Sequence, residues 1–173
     1  MARRAARPRE PKATRPHMPG YGLPSGRKGL LPWSWAEQRL RRSHNYWMIT
    51  AKPDGSPHAM PVWGIWVDGR FFFSTGRTSR KARNLFAHPS CVVCTERSAE
   101  AVIVEGTAAE IDDAEALKRL APVYHRKYAP WKLDPEMGPV FEVRPRVIFG
   151  MREKTFNAAT RWLFEPPSRA RRR

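Results

Sequence analysis

The most constraining feature of the chain is a series of apolar segments joined by turns too tight for a helical crossover. NYWMITA (Asn45 to Ala51) and HAMPVWGIWV (His58 to Val67) flank KPDGSP, with Asp-Gly at its centre. Asp68-Gly69 then leads into RFFFST (Arg70 to Thr75). Asp-Gly between β-branched and aromatic segments is a hairpin signal, because the tight turn needs positive φ at its central residues. The spacing predicts a meander of three antiparallel strands. In the second strand Val62, Gly64 and Trp66 face one way and Trp63, Ile65 and Val67 the other. A doubly wound parallel fold is excluded, since its strands must be separated by helices.

The remaining segments extend this pattern. Ser34, followed three residues later by Glu37, is a capping box and predicts a helix from Trp35 to about Arg42. SRKARNLFAHP predicts a short helix that stops before Pro89. CVVCTE, AVIVEGTAAEID and PVFEVRPRVIFGMRE predict further strands, and ATRWLF (Ala159 to Phe164) closes the ordered part. Asp112 or Asp113 caps a helix with Leu117, Leu120, Tyr124 and Tyr128 on one stripe, and Pro122 is expected to kink or divide it. The sum is a mainly β (α+β) chain, an antiparallel barrel with flanking helices.

Composition limits the organisation. One domain is expected for 173 residues, and 41% hydrophobic residues suffice for a core without disulfides. Of the net charge of +16, residues 1–29 carry +7 and residues 165–173 carry +3, which leaves +6 for residues 30–164. Three regions follow: a basic Pro/Arg-rich tail over 1–29, expected to be largely disordered, a folded domain over 30–164, and an Arg-rich tail over 165–173. PGYGL (Pro19 to Leu23) either packs on the body or forms a loop. Arginine-rich tails without aromatics offer nucleic acid only weak, salt-sensitive contact. No apolar run approaches the ~20 residues that span a bilayer, no secretory leader is recognisable, and two cysteines give no disulfide framework, so the cytoplasm is the expected compartment. Cys91 and Cys94 have CxxC spacing but fall in a strand, where residues i and i+3 face opposite sides and cannot share a metal. The histidines show no ligand spacing, and no metal is expected.

The chemistry is concentrated in STGRTSRKARNL. Thr78 or Ser79 stands where a helix N-cap belongs, and Arg80 and Lys81 occupy the first turn, with Arg77 and Arg83 close by. Cations at the positive end of the helix dipole are misplaced by about 0.3–1 kcal/mol each. A bound anion reverses that sign, meeting free N–H groups, hydroxyls and cations together, and a phosphate suits the place.

FFFSTGRTSRKARNL resembles the cofactor-phosphate motif of the pyridoxamine 5′-phosphate oxidase-like superfamily, and the resemblance extends over about residues 30–164. It implies a split β-barrel of the FMN-binding type. It also implies that Arg80 and Lys81 pair with the cofactor phosphate, that Ser74, Thr75 and Ser79 bond to it, and that Asn84 supports the region. The backbone of Ala59, Met60, Pro61, Val62, Trp63 and Gly64 is expected along the ring edge. Members of the superfamily are homodimers with cofactor sites at the interface, which implies that Arg161 and Trp162 complete the partner's site.

The C-terminus lacks the substrate motif of the vitamin B6 oxidases, and ATRWLF resembles the flavin/deazaflavin branch. That branch implies an oxidoreductase using coenzyme F420 to transfer hydride to an unsaturated small molecule. FMN is the alternative cofactor, and a non-enzymatic cofactor- or haem-binding protein the alternative function. Trp47, Trp63, Trp66, Trp131 and Trp162 are candidate substrate walls. Tyr124, His125, Lys127 and Tyr128 are candidate proton donors. No catalytic triad or carboxylate pair stands out.

Overall fold

The computed structural model describes residues 10–164. The hairpins form as expected, β2 (Asn45–Ala51) against β3 (Pro57–Trp63) and β4 (Ile65–Val67) against β5 (Arg70–Ser74). β6 (Ser90–Thr95) pairs with β2 and with β7 (Glu100–Ile111). The long strand β8 (Val140–Arg152) lies along β7 for its whole length. Its other edge is shared: Val140–Val143 pair with β5, and Val147–Gly150 with β9 (Thr160–Leu163). All pairs are antiparallel and the sheet is not closed, so the architecture is a split barrel.

The second strand is the first departure from expectation. It breaks at Gly64, and its two halves join different partners. A Cβ at Gly64 would lie 2.1 Å from the Phe71 ring and 2.8 Å from the Phe72 carbonyl oxygen, so only glycine lets the chain cross there. Beyond the break both faces are covered. Trp66, Phe71 and Phe73 fill the barrel interior with Tyr46, Met48 and Phe141. Ile65 and Phe72 face the other way, onto Leu120, Tyr124 and Tyr128 of helix α3 (Ala114–Tyr128). Asp113 caps α3, accepting from the Glu115 and Ala116 amides. Pro122 does not divide it: α3 runs on through this exposed proline to Tyr128.

Two further corrections concern the ends. Helix α1 (Trp33–Arg42) starts before Ser34, so the capping box does not form. Pro32, held extended at φ −69° and ψ 151°, is the N-cap. Trp33 joins the helix because its ring packs on Trp66, Trp162 and Phe164. The N-terminal segment is also not wholly a tail. Lys12–Thr14 form strand β1 on the edge of β9, and the Arg15 guanidinium donates to the Lys28 and Ala159 carbonyls. The residues before 10 and the Arg-rich segment 165–173 lie outside the described region.

The CxxC pair alternates as expected, Cys91 buried and Cys94 half-buried, both unpaired. Burial pushes the Cys91 thiol up to about 12, which leaves it unreactive near neutrality. No described helix is long and apolar enough to cross a membrane.

Candidate functional site

The segment STGRTSRKARNL folds as its residues dictate. β5 ends at Ser74, and the chain turns so that the Ser79 N–H donates to the Gly76 carbonyl at 2.9 Å. Helix α2 (Arg80–Ala87) then begins with Ser79 as N-cap, its Oγ accepting from the Ala82 amide at 3.2 Å. The Thr75 and Ser79 hydroxyls lie 3.2 Å apart. Behind them Gly138 presses on this turn, where a Cβ would lie 2.3 Å from the Thr75 carbonyl oxygen. The first turn of α2 carries no acid.

A cavity of about 390 Å³ opens against this turn. Pro61, Val62 and Trp63 at the end of β3 form one wall. Ser74, Thr75 and Lys81 form the polar wall, and Asn45 and Tyr124 complete it. β3 is the outer strand of its path, so one backbone edge faces away from the sheet. Lys81 is half-buried, and burial pushes its ammonium below the usual lysine range. Among the described residues it has neither a carboxylate in ion-pair reach nor a hydrogen-bond acceptor. The neighbouring cations differ. Arg77 pairs with Glu110 and lies 5.5 Å over the Phe86 ring, so its charge is already used. Arg80 and Arg83 are exposed and stand outside the cavity lining.

The structure thus brings together Pro61, Val62, Trp63, Ser74, Thr75 and Lys81. Ala59 and Met60 lie further along β3, opposite Ile49 and Met48. Asn84 is turned away from the cavity: it is 1% exposed and donates to Thr50 Oγ1 at 2.9 Å, tying α2 to β2. Trp162 corrects the expectation for a partner's site. It is wholly buried, edge-on to Trp33 at 5.6 Å, in the core of its own chain. Arg161 beside it donates to Thr14 Oγ1 at 3.1 Å. Of the candidate tryptophan walls, Trp66 is also core, Trp47 stands on the outer face of β2, and Trp131 approaches Trp63 at 6.1 Å between ring centres. Asn45 was not expected at the cavity. The hairpin register, which sets it opposite Trp63, is the signal that could have placed it.

A second cleft, about 310 Å³, is spanned by the Arg39–Glu100 ion pair at 2.7 Å. Its Glu96 accepts from the His44 and Asn45 amides at 2.9 and 3.1 Å, so these polar groups are already matched. No cluster of potential metal ligands occurs among the described residues.

Residues 35–151 match a family model described as pyridoxamine 5′-phosphate oxidase. No curated protein matches the chain. Among solved structures, a conserved hypothetical protein from Mycobacterium tuberculosis is 21% identical, with TM-score 0.61 over 84% of this chain and 96% of that one. An F420 reductase is 20% identical, with TM-score 0.54 over 73% and 98%. The haem storage protein of Vibrio cholerae is 13% identical, with TM-score 0.53 over 65% and 86%. At these identities the likeness establishes the shared fold.

Proposed function

The chain belongs to the pyridoxamine 5′-phosphate oxidase family, and from that premise we propose that it is an oxidoreductase that binds a flavin-type cofactor, coenzyme F420 ahead of FMN, in the cavity between β3 and α2. The observation that carries the proposal is Lys81. It is a half-buried cation at a helix start, beside two hydroxyls and under an apolar wall, with no carboxylate among the described residues in ion-pair reach. A phosphate answers all of these at once. Ser74, Thr75 and Ser79 would bond to it, and Arg80 would approach from the exposed side.

The residues fit such a cofactor. Pro61 and Trp63 offer a flat wall, and the free edge of β3 offers backbone donors and acceptors to the rim of a planar ring. F420 is preferred because Arg80 and Arg83 are exposed beside the seat and held in no ion pair among the described residues. Two such cations suit an acidic polyglutamate tail, which FMN lacks. The fold shared with an F420 reductase is consistent with this choice. When bound, the deazaflavin would supply hydride to an unsaturated small molecule. Tyr124 lines the cavity, and burial pushes its phenol above the usual range, so its Oη stays protonated at neutral pH. It is the candidate proton donor to the acceptor.

A second copy of the chain is proposed to cover the β2–β3 hairpin, where Trp47 is 47% and Met60 43% exposed. The cytoplasm is proposed as the site of action, with both cysteines unpaired. Titration of the purified chain with F420 and with FMN, read by fluorescence and absorbance, tests the reading. Tight binding of F420 with weak binding of FMN supports it. The reverse order replaces F420 with FMN. Binding of haem alone, with no turnover of any acceptor, rejects the enzyme.

A further inference from the structure

We propose that Tyr128 and Lys127, in the last turn of α3, are positioning residues that clamp the open end of the β2–β3 hairpin and thereby set the Trp63 wall of the cofactor cavity. The proposal rests on the cofactor reading above. Gly64 lies between two ladders and is paired in neither, since Trp63 is the last residue of one and Ile65 the first of the other. A buried backbone group without a partner is costly, so something else must satisfy it.

The C-terminal turn of α3 does so. The Gly64 N–H donates to the Tyr128 hydroxyl at 2.9 Å. That hydroxyl has two carbonyls in reach, His44 at 2.7 Å and Gly64 at 2.8 Å. Lys127 Nζ donates to the Gly64 carbonyl at 2.8 Å and to the Tyr46 hydroxyl at 2.8 Å. Tyr46 in turn donates to the Leu40 carbonyl at the end of α1. With the Tyr128 proton on His44, one Lys127 proton on Gly64 and another on Tyr46, both backbone groups of Gly64 are satisfied.

The position of this clamp gives it a role at the cavity. His44 and Gly64 flank the register pair Asn45–Trp63, and both residues of that pair line the cavity. One hydroxyl therefore ties the ends of two strands just behind the site. The Tyr128 ring also lies flat against the Trp63 indole, 5.0 Å between centres and 9° between planes. Hydroxyl and ring together leave Trp63 little freedom of backbone or side chain. A half-buried ammonium is expensive unless its protons are bonded. Both bonds of Lys127 go to this corner of the fold.

The test uses the full chain and two variants. Tyr128→Phe keeps the ring on Trp63 and removes the hydroxyl, whereas Lys127→Met removes the ammonium and leaves Tyr128 in place. Amide hydrogen exchange in cofactor-free protein reads the clamp directly. The Gly64 amide is expected to exchange about five- to tenfold faster in Tyr128→Phe, the effect of losing one hydrogen bond. Titration with F420 and FMN reads the consequence. Affinity should fall by a similar factor in both variants, and the absorbance band of the saturated cofactor should shift, which loss of stability alone would not produce. Unchanged Gly64 exchange in both variants overturns the clamp. Faster exchange with unchanged affinity and spectrum overturns its role at the cavity. Wild-type protein that binds neither cofactor rejects the cofactor reading, a failure visible before any variant is compared.

Discussion

Replacing Lys81 by Met should separate the needs of the fold from the needs of the ligand, because the two effects have opposite signs. In the cofactor-free chain the ammonium is half-buried in the first turn of α2, at the positive end of the helix dipole. Burial pushes its proton affinity down, so the charged form is less favourable folded than unfolded. That penalty is fully present below the lowered folded pKa. It fades as pH rises from there through the ordinary lysine value, where both states become neutral. At pH 7 Lys81→Met should therefore leave stability unchanged or raise it by up to ~1 kcal/mol, equivalent to a Tm increase of about 2–4 °C for a domain of this size. Binding moves the other way. A charge-assisted hydrogen bond contributes about 1.5–3 kcal/mol, or ~10–150-fold in Kd, and the open cavity places this one at the lower end. Thermal melts without cofactor and fluorescence titrations with F420 and FMN, each at two salt concentrations, measure both quantities. The wild type should show the steeper salt dependence. A variant that melts several degrees lower and binds as well as wild type would refute the reasoning and make Lys81 a structural prop.

Three other substitutions probe the frame around the seat. Ser79→Ala removes the N-cap acceptor of α2 and should cost about 1 kcal/mol in urea unfolding, with weaker cofactor binding as the turn loosens. Gly64→Ala places a methyl 2.1 Å from the fully buried Phe71 ring and 2.8 Å from the Phe72 carbonyl oxygen, neither of which can yield. It should lose at least about 1–3 kcal/mol, read as a lower denaturation midpoint. Trp162→Ala should cost about 3–5 kcal/mol of chain stability, as removal of a core indole does. If sedimentation instead showed dimer dissociation with the melting temperature preserved, the assignment of Trp162 to the core would be wrong.

What could be read from the residues was whatever is decided over a few positions. The hairpins, the Asp113 cap and the halt of α2 before Pro89 all follow from turn chemistry and capping, and all are present. The departures come from distant partners. HAMPVWGIWV alternates as a strand should, but its break depends on Phe71 crossing under Gly64 and on α3 covering the far face. Both Ile65 and Trp66 are therefore buried, and alternation alone cannot show a bend. The Ser34 capping box gave way to Trp33, whose packing on Trp66, Trp162 and Phe164 outweighs one local hydrogen bond. The Pro/Arg-rich N-terminus reads as a tail by composition, yet Lys12–Thr14 find an open strand edge about 150 residues away.

The site obeys the same division. The residue types at a helix start suit an anion, because cations stand where the dipole opposes them. Which cation faces the ligand is decided elsewhere in the chain. Glu110 arrives on β7 and takes Arg77. Arg80 and Arg83 keep their charge in solvent, where its self-energy is low and no partner is required. Lys81 combines burial with the lack of any acceptor among the described residues, and only an anion entering the cavity relieves both. A cation with a protein partner holds the fold together, an exposed one can steer a ligand, and a half-buried cation without a partner is the one whose energy changes most when the ligand binds.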